Sequence, residues 1–304
     1  MTGFVRTVLG DIPPHELGRT DYHEHLFQVS PLLPGDELDD EALSRREAEL
    51  LAASGFEAMI DATPLGLGRD AAAIARISAT TGLRVVMSTG AHRSGHYGDG
   101  HPLLGTTVDE LADRFTADLL DGADDTDVRA GHLKTGIDYW SISPFSRRVL
   151  EAAAIAHGRT GAPVMVHLEH GSATHEVLDL LESLGVAARR VALAHADRNP
   201  DPGLHAELAA RGAYLGYDGA ARHREHPESV LLDCLFRVVE SGHGDRVLLG
   251  GDVARRSRYV AYGGMPGLAY LGDRFVPRVI GTVGAEATDR LLRANPAAYL
   301  TWGA

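Results

Sequence analysis

Lysine is all but missing from this chain of 304 residues: of its 29 Lys plus Arg residues, all but Lys134 are arginine. Cysteine is as scarce. Cys234 stands alone, so an intrachain disulfide is excluded. The stretch "MTGFVRTVLGDIPP" lacks the apolar core of a secretory leader, and no apolar run approaches the roughly 18 residues of a membrane span. We therefore expect a cytoplasmic protein with no membrane partner. Positive charge is also short, with a formal net charge of -13. A nucleic-acid or anionic-membrane surface needs a basic face to release counterions, so the expected partner is a small molecule. Low-complexity linkers and internal repeats are missing too, and one domain over residues 1–304 suffices.

What is present is alternation. Short β-rich runs recur at "RTDYHEH", "EAMIDAT", "RVVMSTG", "AGHLKTG", "PVMVHLE", "RVALAHA", "AYLGYDG" and "RVLLGGD". Runs of helical period separate them, such as "DEALSRREAELLAAS" and "FSRRVLEAAAIAHGRTG", several ending at a glycine that can cap a helix. Eight strands alternating with helices predict an α/β fold, a single (β/α)8 TIM barrel. No glycine-rich phosphate fingerprint follows the first strand, which weighs against an open dinucleotide-binding sheet. The segment "FVRTVLGDIPPHELG" reads as a short N-terminal hairpin forming a lid before the barrel. The tail "NPAAYL" reads as packing on the barrel's outside.

In a parallel barrel the C-terminal strand ends meet at one mouth. The first run ends in "HEH", and a spacing of two on a strand puts His23 and His25 on one face. The fourth is read as ending with Lys134, the fifth with His167, the sixth with His195 and the eighth with Asp252. Any one of these alone reads as a hydrogen-bonded structural residue. Four imidazoles and a carboxylate on one rim are the donor set of zinc, manganese, cobalt or iron, whereas magnesium and calcium prefer oxygen.

The single lysine fits that setting. Beside a divalent ion at ~4 Å, an ammonium is repelled by roughly 8 kcal/mol at an effective dielectric of ~20. A neutral amine can add carbon dioxide and become a carbamate whose two oxygens bridge a pair of ions. Arginine cannot, because its guanidinium stays protonated.

The series "HEH", "RAGHLK", "VHLEHG", "AHADRN" and "GGD", continued by "GGDVARRSRYVAYGG" and "NPAAYL", resembles the phosphotriesterase-like branch of the amidohydrolase superfamily. The resemblance implies a binuclear hydrolase with two divalent ions per chain, zinc first, then manganese, cobalt or iron. It implies that His23, His25 and Asp252 hold the more buried ion and His167 and His195 the more exposed one. Lys134, as N6-carboxylysine, and a hydroxide would bridge the two. Asp252 and Lys134 are the candidates for the chemistry, with Asp252 accepting the proton of the attacking hydroxide. Relatives of this kind are commonly dimers, so a homodimer is expected.

For the substrate, the loops after the strands offer His92 and Tyr97, Asp218, and Arg255 and Arg256 as contacts. Arginines can grip a carboxylate or phosphate through paired hydrogen bonds. The likeness of "GGDVARRS" to relatives acting on sugar lactones favours a lactone with a polar or anionic tail, with organophosphate triester hydrolysis as a side activity. A phosphotriesterase or N-acyl amide hydrolase on the same fold is the alternative, and a silent metal-binding protein is the remote one.

Overall fold

The described chain, residues 3–222 and 226–303 of a computed structural model, opens with an antiparallel hairpin of β1 (Val5–Thr7) and β2 (Gly10–Ile12). Part of the loop "YDGAARHREHP", residues 223–225, lies outside the described residues. Eight strands follow the hairpin: β3 (Thr20–Glu24), β4 (Ala58–Asp61), β5 (Arg84–Gly90), β6 (His132–Ile137), β7 (Val164–Leu168), β8 (Val191–Ala194), β9 (Tyr214–Tyr217) and β10 (Val247–Leu249). Each pairs in parallel with its neighbour in chain order, from β3 through to β10. The seam between β10 and β3 is drawn shut by the Asp252 N–H donating to the His23 carbonyl at 2.8 Å. Gly250 makes that approach feasible, since a Cβ there would stand 2.9 Å from the His23 nitrogen and 2.8 Å from the Tyr22 ring. The eight strands form the expected TIM barrel.

The helices cover the outside: α1 (Glu41–Ala53), α2 (Ala71–Thr81), α3 (Pro102–Gly105), α4 (Val108–Leu120), α5 (Pro144–Thr160), α6 (Thr174–Ser183), α7 (Pro202–Ala210) and α8 (Glu228–Val238). Polar residues set their starts. The Asp40 and Asp70 carboxylates accept from Leu43 and Ala73 N–H, and Thr107 with Glu110 forms a reciprocal capping box. Gly82 and Gly161 end α2 and α5 in the left-handed region, at φ 76° and 79°. The longer helices lay apolar residues on the sheet. On α5 these are Phe145, Val149, Leu150, Ala153 and Ala156, all buried.

Two expectations are corrected at the N-terminal end of the barrel. The chain closes with α9 (Val276–Val283), α10 (Ala285–Asp289) and α11 (Asn295–Leu300). Tyr299 and Leu300 of α11 are fully buried in one cluster with Val5, Ala58, Val86, Met165, Ala192, Tyr214 and Leu248. The tail therefore plugs the barrel instead of lying on its outside. The hairpin is no lid over the mouth either, because Val8 N–H donates to the Val85 carbonyl near the start of β5. Arg6 fastens this floor, its guanidinium over the Trp302 ring and hydrogen-bonded to Asp11 and the Leu119 carbonyl. The physical reason is supply: a barrel open at its base needs apolar side chains to fill it, and the hairpin and tail carry them.

Candidate metal centre and cavity

The opposite end is built of imidazoles. Alternation along β3 sends Glu24 away from the histidines, where its carboxylate accepts from Val253 N–H at 3.0 Å. His23 and His25 face the mouth together, ring centroids 5.6 Å apart. His167 lies on β7, and His195 follows β8 with its backbone in the left-handed region at φ 65°. Asp252, three residues past β10, is also left-handed at φ 42°. Strain of this kind costs energy and persists where the surroundings enforce it.

Each imidazole is held from behind, which settles where its lone pair points. The Thr63 hydroxyl donates to the Phe27 carbonyl, so it accepts from His25 Nδ1 at 2.8 Å, and His25 Nε2 is left facing Asp252 Oδ1 at 3.6 Å. Asp218 accepts from His23 Nδ1 at 2.9 Å and from His195 Nδ1 at 2.6 Å. Glu169 accepts from His167 Nε2 at 3.1 Å. The inward nitrogens are therefore the Nε2 atoms of His23, His25 and His195, and Nδ1 of His167. His195 Nε2 and His167 Nδ1 stand only 2.8 Å apart. Two lone pairs so placed require a proton or a cation between them.

Electrostatics agree with ligand duty. Burial drives His23, His167 and His195 well below the ordinary imidazole value and His25 down to about 3, so all four are neutral, the form that binds metal. Asp218 is pushed the other way. Burial opposes its ionisation, but His195 and His23 outweigh it, and the carboxyl stays well below its usual range. Tyr22 also donates its hydroxyl to Asp218, in space that Gly216 leaves open: a methyl there would overlap the Tyr22 oxygen.

Lys134 sits in the middle of β6, between Gly90 and Met165 on the neighbouring strands, and not at the strand's end as expected. Its long stem makes up the distance, bringing Nζ to 2.9 Å from His23 Nε2 and 3.0 Å from Met165 Sδ. Burial pushes this amine down to about 7, helped by Arg198 and opposed by Asp218. Near neutral pH the uncharged amine is well populated. His23, His25 and Asp252 form one group able to hold a metal ion, their ligand atoms within 4.8 Å of one another. His23, His195 and Asp218 form a second, in which the nitrogens facing Asp218 are those that hold the rings in place. The donor set and its inward lone pairs fit a metal centre.

Above the imidazoles lies a cavity of about 290 Å³. The six expected ligand residues line it, together with His92, His96, Leu32 and Leu33. Of the five expected substrate contacts, His92 and Arg255 reach it. The other three do not. Asp218 is buried behind the imidazoles, and Tyr97 props the loop by accepting from His92 N–H and donating to the Leu65 carbonyl. Arg256 turns outward over Tyr262 toward Asp39. Unforeseen were Glu169, Arg198 and Arg222. Arg198 Nη2 donates to Asp252 Oδ2 at 3.2 Å, and Arg222 pairs with the same carboxylate and donates to its carbonyl at 2.6 Å. Burial, with Arg198 and Arg258 nearby, presses Arg222 down to about 9. Arg93, Arg198, Arg222 and Arg255 thus bring four guanidinium groups to one small cavity. The one signal for Arg198 was its place three residues after a strand-end histidine.

Among the described residues no helix is long and apolar enough to cross a membrane. The chain matches the model of the phosphotriesterase family over residues 3–300. A lactonase from Listeria monocytogenes superposes with a TM-score of 0.93 at 31% identity, covering 99% of this chain and 100% of that one. The phospho-furanose lactonase of Mycoplasmopsis agalactiae is 30% identical over 98% of this chain and 92% of its own length. The N-acetyltaurine hydrolase of Danio rerio is 28% identical over 99% of both. With that match and this geometry, the chain belongs to the phosphotriesterase family.

Proposed function

We propose that this protein is a metal-dependent hydrolase that opens a lactone bearing an anionic or polar tail. The observation that carries the reading is the cavity itself, lined by inward imidazole lone pairs and by four arginines, two of which, Arg198 and Arg222, share the one carboxylate of Asp252. Two guanidinium groups on one carboxylate leave donors for a second anion, and a phosphate or carboxylate on the substrate supplies one. The relatives named as lactonases support the bond; the arginines support the tail.

In this reading His23, His25 and Asp252 would hold one ion and His167 and His195 a second, and Lys134, carboxylated on Nζ by carbon dioxide with loss of a proton, would add carboxylate oxygens to the donor set. Zinc suits the nitrogen-rich set, with manganese, cobalt and iron as alternatives. When bound, such ions polarise a substrate oxygen and bring the pKa of water down to around 7. The chain's own residues do the rest. Asp218, Thr63 and Glu169 keep the imidazoles aimed, Asp252 takes up the proton released during attack, and Arg198 and Arg222 turn from Asp252 to the substrate's anionic group. Leu32 and Leu33 wall the cavity on an apolar side.

An N-acyl amide hydrolase is the second reading, favoured by the full-length similarity to an N-acetyltaurine hydrolase. A screen of metal-reconstituted protein decides between them, using lactones with and without a phosphate or carboxylate tail, N-acyl amino acids, N-acetyltaurine and a phosphotriester. Fastest turnover of a tailed lactone is expected. Preference for an amide moves the assignment to the second reading, and preference for the triester over every lactone overturns both.

A further inference from the structure

Beside the catalytic cavity lies a second hollow of about 570 Å³, lined by Tyr139, Trp140, His170, Ser172 and Asn199. Glu169 and Arg198 line both hollows, so the two adjoin. The chain has two tryptophans. Trp302 is 3% exposed in the floor, while Trp140 is 62% exposed on this rim beside Tyr139 at 61%.

This placement is enforced. Asp138 and Ser141 exchange backbone hydrogen bonds at 3.1 and 3.2 Å, which puts Tyr139 and Trp140 at the tip of a tight turn after β6. Trp140 has φ 48°, a left-handed conformation that is an outlier for a bulky side chain. Its N–H donates to Ser172 Oγ at 3.0 Å, and Arg93 ties down Asp138 at 3.1 Å. The Tyr139 ring meets His170 edge-on at 5.8 Å. Strained backbone holding an exposed aromatic pair beside a cavity points to binding.

Resting on the hydrolase reading, we propose that Tyr139 and Trp140 form a second subsite for a hydroxylated ring, such as a glycosyl group, that the substrate carries beyond the bond being cut. The ring's C–H face stacks on the aromatic side chains. Its hydroxyl edge meets Glu169, Arg198 and Asn199, polar groups at the margin of the aromatic face that an aryl tail leaves unused.

Two measurements on the full-length, metal-reconstituted protein test this. The first needs no hydrolysis: tryptophan emission is titrated with cellobiose, where exposed Trp140 reports and buried Trp302 stays silent. A saturable change is expected, weakened in Tyr139→Ala and absent in Trp140→Asn, which keeps a residue tolerant of the left-handed backbone. The second compares KM for glucono-1,5-lactone and cellobiono-1,5-lactone, which differ by one glucosyl ring. The wild type is expected to show about fivefold lower KM for the larger lactone, and the variants to bring the two values together. No saturable emission change, or equal KM values in the wild type, overturns the subsite. So does a gain confined to aryl-substituted lactones, or a dimer that Tyr139→Ala dissociates, which makes the pair an interface between copies. An emission change without turnover of these lactones or of the phosphate- and carboxylate-tailed ones leaves the subsite standing and removes the lactonase reading.

Discussion

The two ends of this barrel obey opposite rules. At the floor, apolar residues from the hairpin and the tail are packed into the interior, and Arg6 is fully engaged by Asp11, a carbonyl and the Trp302 ring. At the mouth, imidazoles are turned so that lone pairs face one another, four guanidinium groups share a cavity, and His195 and Asp252 adopt left-handed backbone. The floor is held by apolar packing around one paired arginine. At the mouth Arg198 and Arg222 share the single carboxylate of Asp252, and the imidazole lone pairs face a space that an ion and an anion can fill. Stability and chemistry are therefore separable here, and substitutions at the two ends should fail in different ways.

The largest effect is expected at Lys134. Lys134→Ala removes the one side chain able to become a bridging carboxylate, so bound metal should fall below one ion per chain and activity should vanish while the fold persists. Short carboxylic acids should restore part of the activity, and Lys134→Arg should not substitute. Metal analysis and turnover with and without added propionate check this; full activity of Lys134→Ala without it removes the carbamate from the mechanism. The contrasting change is Trp302→Ala at the floor, which should cost about 3–5 kcal/mol of stability. Thermal and denaturant unfolding measure that loss, and metal content per folded chain should stay at the wild-type level. Equal damage to metal content and stability in both variants would erase the distinction between the ends.

Much of the mouth was legible in sequence because strand ends in a parallel barrel share one rim, so "HEH", His167, His195 and "GGD" could be placed together by counting strands. Reach and direction were not legible. Lys134 lies mid-strand, and the length of its stem brings the amine to His23, which a strand boundary cannot reveal. Asp218 and Tyr97 looked like rim residues, but the pleat and the space left by Gly216 turn Asp218 behind the imidazoles, and hydrogen bonding places Tyr97 beneath His92. Arg198 enters the cavity from a single 3-10 turn and Arg222 from a loop, and their directions are decided by left-handed backbone just before them, at His195 and Ala221. The tail is similar: "NPAAYL" carries no periodic mark of being inside, and the barrel's need for filling decides it.

A smaller effect should come from the residue that aims two imidazoles at once. Asp218→Asn keeps the size of the side chain but cannot accept from both His23 Nδ1 and His195 Nδ1 as the carboxylate does. Loss of such an orienting partner typically lowers metal affinity by about 10–100-fold. Competition with a chelator should show that drop, while the unfolding temperature of the metal-free protein moves little. A wild-type affinity in Asp218→Asn would mean that packing alone aims the imidazoles.

The smallest expected effect is a slope with pH, and it isolates the buried amine. In the folded, metal-free protein Lys134 titrates near 7, whereas in the unfolded chain it titrates near the ordinary lysine value of 10.5. Between those two values the unfolded state holds a proton that the folded state has released. Stability should therefore rise with pH across that window, by on the order of 1 kcal/mol per pH unit at most. Below pH 7 both states are protonated, and this contribution to the slope disappears. Lys134→Met keeps an apolar stem without the amine, so its stability between pH 7 and 9 should rise less steeply than the wild type's in chelator-treated samples. Parallel slopes would show that the amine keeps its proton in the fold, which would place the charge of Lys134 against the imidazoles and leave carbon dioxide with no neutral amine to attack.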